Sequence, residues 1–241
     1  MNKMKCLIRD YCGNIYYHGY KKHCSLGNRC LIYHAFGSKL SHDTYGISIN
    51  ISKFNDHIKY LYDNYELTEF NNFSNKSMSV SLSIDDGYKD TIDAVNILDN
   101  YGIPFSLFIT AGMIGKDNYL SVEDISEIAK LEKCNIGAHG LNHLRLGDLD
   151  IRKQYSELND GKVIIEDITK KKITAVSYPH GSYNNDTLSI ISDIGYEWAV
   201  CSKKGFNDIN TNNYLLKRSE VIATDNINDL TRKLKGYYDY Y

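Results

Sequence analysis

Asp85 and Asp86 stand side by side, followed by Gly87, at the end of the alternating run 78–84. Two adjacent carboxylates repel, and a cation placed against them relieves that repulsion. Asp-Gly is also a common solvated turn, so the pair alone leaves both meanings open. His139-Gly140-Leu141-Asn142-His143 follows a second apolar run. On one helical turn an i, i+4 pair points both imidazoles the same way, which suits chelation, whereas two polar loop histidines would spell the same string. Two histidines plus one carboxylate form a catalytic metal set that leaves positions open for water and substrate. A third polar stretch, Ser177-Tyr178-Pro179-His180-Gly181-Ser182-Tyr183, follows a third apolar run. Pro179 and Gly181 fix a tight loop there, and its backbone N–H groups can be aimed inward as an oxyanion hole; by itself a Pro-x-Gly loop is usually only a turn.

These stretches need elements that hold them together. Short apolar runs at 30–34, 78–84, 104–110, 134–138, 173–178, 196–201 and 215–222 read as strands. Helical patterns lie between them. Phe54, Ile58, Leu61, Tyr62 and Tyr65 recur at helical spacing, with Ser52 as the expected cap. Further helices are expected over 89–100 with Gly102 just past the end, from the capping box at Ser121 to 133, and over 150–170, 186–194 and 226–234. Repeated strand–helix units imply an α/β fold with a mostly parallel sheet and helices outside. The polar motifs follow the strands at 84, 138 and 178, and C-terminal strand ends are where parallel α/β folds build sites. A barrel explains that coincidence best. The segment before residue 28 resists assignment, one reading being a short helix on the outside of the barrel.

A length of 241 residues suits one domain, with 42% hydrophobic and 24% charged residues, as in an ordinary soluble globular protein. The net charge of -2 offers no strong basic field for nucleic acid or an anionic membrane. No transmembrane stretch and no apolar leader region are visible, so the expected location is the cytoplasm. The six cysteines, at 6, 12, 24, 30, 134 and 201, form no C-x-x-C pair and are expected to be reduced.

The ordered motifs resemble those of the polysaccharide deacetylases, the NodB-homology group of carbohydrate esterases. Ser83-Ile84-Asp85-Asp86-Gly87 resembles that family's first motif, T-F-D-D-G. His139–His143 resembles the second, H-S/T-x-x-H, and Tyr178-Pro179-His180-Gly181 the third, R-x-P-x-G. The stretch around Leu31-Ile32-Tyr33-His34 is similar to the branch that deacetylates poly-N-acetylglucosamine, and the likeness extends over residues 28–236. It implies a distorted (β/α)7-type barrel over 28–241, with 1–27 as an N-terminal extension. It also implies Asp85 as general base and Asp86, His139 and His143 as ligands of a divalent metal, Zn²⁺ first, with Ni²⁺, Co²⁺ or Fe²⁺ as alternatives. Two features depart from the family pattern. No histidine follows His180 to supply the C-terminal general acid, and the branch with an N-terminal histidine points to His34 instead, with His180 as backbone oxyanion donor or reserve acid. Ser177 stands where the third motif carries an arginine that pairs with the base; Arg218, on the last strand, is the candidate replacement. Pro179, Gly181, Tyr183, Trp198 and Arg218 are the expected substrate-side residues, with a place in the core as the other reading of Trp198.

The implied partner is an amino-sugar glycan or its precursor. Two other readings remain at this point: a deformylase or deacetylase of a lipid- or nucleotide-linked amino sugar, and a barrel that binds glycan without turning it over.

Overall fold

Residues 78–84 alternate, but neither face of the strand meets water. In the computed structural model, which describes residues 3–21, 27–41, 43–70 and 77–240, this is a seven-residue strand buried on both sides. Val80, Leu82 and Ile84 face the helical shell, packed in one cluster with Phe54, Ile58, Val95 and Leu98. Ser79, Ser81 and Ser83 face the other way and are equally buried. Asn28 donates to Ser79 and Ser81 at 3.0 Å each, and Arg218 donates to Ser83 at 2.9 Å. Period-two alternation here separates a shell side from a barrel interior.

The strands are β1 (Gly27–Tyr33), β2 (Glu66–Leu67), β3 (Met78–Ile84), β4 (Phe105–Ile109), β5 (Cys134–Ala138), β6 (Ala175–Ser177), β7 (Trp198–Val200) and β8 (Arg218–Glu220). Their order is β7-β6-β5-β4-β3-β1-β8, with β2 beside the start of β3, and every strand pairing is parallel. A parallel bridge from Val200 to Leu216, two residues before β8, draws the two ends of the sheet together. The result is a nearly closed, distorted (β/α) barrel, as the sequence pattern implies. β2 is the one strand the pattern did not announce; two residues carry no legible period.

Around the sheet run α1 (Lys3–Tyr16), α2 (Ile51–Asn64), α3 (Thr91–Asn100), α4 (Val122–Ile128), α5 (Ile151–Thr169), α6 (Asn185–Ile190) and α7 (Ile227–Lys235). Side-chain acceptors fix most of their starts. Ser121 and Asp124 form the expected capping box of α4, and Asp150 accepts from Lys153 at the head of α5. The cap of α2 is Asn50, which accepts from the Ser52 amide at 2.9 Å; Ser52 itself is already inside the helix. Gly102 takes the left-handed conformation just past α3. α1 is the helix outside the sheet, held against α7. Among the described cysteines Cys12, Cys30, Cys134 and Cys201 are free thiols; Cys24 lies outside the described residues. No described helix is long and apolar enough to cross a membrane.

Inside the ring, Cys30, Phe70, Phe108, Ala175, Trp198, Val200 and Leu216 form a second apolar cluster. Trp198 stacks on Phe70 at 5.2 Å and meets Phe108 edge-on at 5.9 Å. It opens β7, so it lies towards the N-terminal ends of the parallel strands.

One close approach connects shell to site. A Cβ on Gly161 of α5 would lie 2.9 Å from the carbonyl carbon and oxygen of Gly140. Gly→Ala in a helix interior ordinarily gains about 1 kcal/mol. Here the neighbour is backbone, which cannot step aside, so overpacking of about 1–3 kcal/mol outweighs that gain. Gly161→Ala is expected to lower the melting temperature by a few degrees in calorimetry; an unchanged or higher value would contradict this packing.

Candidate active site

Asp85 continues the β3 ladder, its amide donating to Tyr33 O at 2.9 Å. The chain then turns through two successive left-handed residues, Asp86 (φ 75°) and Gly87 (φ 79°). That turn sends the adjacent carboxylates to different partners. Of the five non-glycine residues with positive φ among the described residues, three are Asp86, His143 and His180. Such conformations cost about 1–3 kcal/mol each and collect where geometry matters.

Asp85 is buried. Arg218 donates Nη1 to its Oδ1 at 2.7 Å and Nη2 to its Oδ2 at 2.9 Å, a bidentate pair. Ser177 Oγ donates to Asp85 Oδ2 at 2.8 Å and accepts from Arg218 Nη2 at 2.7 Å. Arg218 thus supplies the counter-charge to Asp85, with the Ser177 hydroxyl bridging the two. It is fully enclosed and faces Asp85 and Ser83, not open space, so a direct substrate contact is corrected to a contact with the acid. Burial alone would raise the Asp85 carboxyl; Arg218, and then His139, outweigh it and hold the group below its ordinary range.

Asp86 Oδ1 lies 3.3 Å from His139 Nε2 and 3.2 Å from His143 Nε2. Yet no hydrogen bond to this buried oxygen has acceptable geometry. The three ligand atoms all fall within 4.8 Å of one another. Tetrahedral ligands about 2.0 Å from a zinc-sized ion lie about 3.3 Å apart, so two of these separations are those of a cation's donors. His139 Nδ1 meets Ser177 O at 2.8 Å, which leaves Nε2 turned to the cluster. Burial pushes the His139 imidazolium down, but Asp86 and Asp85 raise it overall. Burial also works against the Asp86 carboxylate, and the two imidazoles hold it well below its ordinary value. The pocket therefore favours positive charge among these three groups, and a divalent ion fits that demand.

The two histidines do not share a helical turn, contrary to the expectation from their spacing. Residues 139–145 form a loop in which Gly140 (φ 72°) and His143 (φ 59°) are left-handed. Glu157 of α5 shapes it. Its Oε2 accepts from the amides of Leu141 (3.1 Å) and Asn142 (2.8 Å), and its Oε1 from Asn142 Nδ2 (2.7 Å). From the far side Gly112 N donates to Leu141 O at 2.7 Å. Glu157 escaped the sequence reading. The available signal was an acid in the inward stripe Gln154, Glu157, Leu158, Gly161, Ile165, where apolar residues belong.

A cavity of about 400 Å³ opens over the cluster, lined by His34, Asp85, Asp86, His139, His143 and His180, with Tyr45, Arg145 and Glu220 also along its wall. His34 directly follows β1, and its buried Nδ1 has no hydrogen-bond partner. The His180 ring lies 4.4 Å from that of His143; burial, and then His143, keep it below the ordinary histidine value. Residues 179–181 form a tight turn in which His180 (φ 57°) and Gly181 are both left-handed. Pro179 is buried within it, and Gly181 (φ 64°) lies so close to Ser202 that a Cβ would approach to 2.8 Å; both shape the turn without lining the cavity. The Tyr183 ring packs at a tilt of 34° against the cavity residue Tyr178 at 5.2 Å and is one step removed from the wall. Trp198 is at the opposite end of the barrel, beside a second cavity of about 340 Å³ that carries no such cluster, and the expectation that it walls a sugar site is corrected.

The sequence and the fold are matched by known proteins. The sequence pattern of the family described as polysaccharide deacetylase fits residues 74–199. A Bacillus subtilis relative, YxkH, itself assigned to the polysaccharide deacetylases, is 31% identical over 79% of this chain and 70% of its own. A poly-beta-1,6-N-acetyl-D-glucosamine N-deacetylase of Staphylococcus aureus is 26% identical over 92% of this chain and 82% of its own. Among solved structures, IcaB from Ammonifex degensii superposes with a TM-score of 0.76 at 18% identity, over 89% of this chain and 97% of that one. The pattern match over more than half of the chain and the identity to YxkH establish that the chain belongs to the polysaccharide deacetylase family.

Proposed function

We propose that this protein is a metal-dependent N-deacetylase that hydrolyses the acetamido group of an amino sugar in a glycan or glycan precursor. One observation carries the reading: a three-donor cluster and an arginine-clamped carboxylate face the same cavity, with His139 Nε2 only 3.9 Å from Asp85 Oδ2. Asp86, His139 and His143 would hold the cation. Nitrogen and oxygen donors suit Zn²⁺, and Ni²⁺, Co²⁺ or Fe²⁺ accept the same set. Such an ion supplies the Lewis acidity that polarises an amide carbonyl and acidifies water.

The remaining chemistry belongs to the chain. Asp85, kept ionised by Arg218, removes a proton from the attacking water. The backbone N–H of His180, set by its left-handed turn, donates to the developing oxyanion. His34 delivers a proton to the amide nitrogen as the C–N bond breaks, and the His180 ring is the reserve acid. Water's oxygen ends in acetate, and the nitrogen leaves as a free amine. Relatives named for poly-beta-1,6-N-acetyl-D-glucosamine support β-1,6-linked N-acetylglucosamine oligomers as the first substrates to assay.

Asp85→Asn is expected to reduce turnover at least about 10²-fold while cation content, by elemental analysis, stays near wild type. His139→Ala should lose cation and turnover together. Full activity in both variants would overturn the roles. Release of formate rather than acetate from matched formyl and acetyl sugars would move the substrate to the formylated class, and no turnover by a cation-loaded protein would favour glycan binding alone.

Arg218→Met leaves a buried carboxylate without its counter-charge and is expected to destabilise the fold by about 3–5 kcal/mol. Adding Asp85→Asn should restore much of that loss, because no net charge is then stranded. Denaturant titrations measure both; equal stability of single and double variants would show that the pair is not coupled.

A further inference from the structure

α1 is amphipathic in the wrong sense for a helix on a protein surface. Arg9 and Asp10 face the protein: Arg9 pairs with Asp229 at 2.9 Å, and Asp10 pairs with Arg232 at 3.0 Å and accepts from Tyr238 Oη at 2.8 Å. Arg9 also lies 4.5 Å above the Tyr238 ring, and just past the helix Tyr17 stacks on Tyr237 at 4.0 Å. These contacts, each to α7 or the tail after it, fix the helix rotation. That rotation turns Leu7, Ile8, Tyr11 and Ile15, which fall on one stripe, out to solvent, each 54–68% exposed. Four large apolar side chains on one docked face mark an interaction surface.

Charge identifies what covers it. The chain is nearly neutral overall, but its start is not. Before residue 43 the sequence holds Lys3, Lys5, Lys21, Lys22 and Lys39, besides Arg9 and Arg29, which pair with acids, and a single acid, Asp10, whose carboxylate is already engaged. The acids of the segment packed beneath α1 are engaged as well: Asp225 by Lys233, Asp229 by Arg9 and Asp239 by Arg29. What remains is an apolar stripe with an aromatic residue, set in a lysine-rich segment without an uncommitted acid. That composition suits the headgroup–acyl boundary of an anionic bilayer, where the stripe buries and lysines meet lipid phosphates. Pairing with a second copy would instead bring two cationic segments together.

We infer that α1 docks the protein on anionic phospholipid surfaces, with Leu7, Ile8, Tyr11 and Ile15 as the inserted face. Flotation with phosphatidylcholine vesicles with and without phosphatidylglycerol tests this. The wild-type chain should float with phosphatidylglycerol vesicles, lose that association as salt is raised, and stay behind with phosphatidylcholine alone. Leu7→Asp/Ile8→Asp should cut the bound fraction at least tenfold with an unchanged melting temperature, whereas Tyr62→Asp, an exposed position on α2, should bind like wild type. Failure of the wild type to float, or equal flotation of the double variant, overturns the inference. So does a light-scattering dimer that the double variant converts to monomer, since the stripe would then be occupied by a second copy.

Discussion

Arg218 and Asp85 meet inside the barrel, both shielded from water, through two charge-assisted hydrogen bonds. Neither charge could be left there alone: stripping one ion of water costs several kcal/mol, and only a partner in good geometry offsets it. The requirement reaches into the topology. Arg218 opens β8 and Asp85 follows β3, with β1 between them. The pair forms only when the last strand has joined the first, so the docking of β8 and the electrostatics of the carboxylate are one event. Ser83 and Ser177 complete the guanidinium's bonds, which explains why hydroxyls stand on the interior faces of β3 and β6 where a packed barrel would take aliphatic side chains.

The same ring explains where a proton donor can come from. β1 lies between β3 and β8, so a residue following β1 enters the cavity from the stave next to the one that ends the chain's sheet. His34 and Glu220, at the ends of β1 and β8, both line the cavity. A histidine supplied by the first strand therefore reaches the space that one supplied after the last strand would reach, without any change in the barrel.

Much of this was legible because it is periodic or local. Parallel α/β architecture followed from apolar runs alternating with helical patterns, and Ser121 with Asp124 announced a helix start by residue type alone. The carboxylate and histidine pairs were visible as types at strand ends. Their convergence was not, since it depends on left-handed turns at Asp86 and His143 that spacing cannot reveal; a helical reading of His139 and His143 gave the right partners for the wrong reason. Trp198 misled because an aromatic near a motif in sequence can open a strand at the far end of the barrel. Asn50 displaced Ser52 as a cap because two competent acceptors lay two residues apart, and the backbone chose the first. Glu157 needs the tertiary contact itself to be understood.

The left-handed turns at Asp86 and His143 have a thermodynamic corollary. Their strain is incurred once, when the chain folds, so the donors are already oriented before any ion arrives and little side-chain freedom remains to be lost on capture. Were a cation held there, its affinity and the integrity of the scaffold would be one linked quantity: an ion that binds only the folded chain stabilises it in proportion to the logarithm of its concentration over its dissociation constant. Glu157 and Gly161, both remote from the donors' own atoms, would then belong to the same balance, because they hold the 140–142 loop in place.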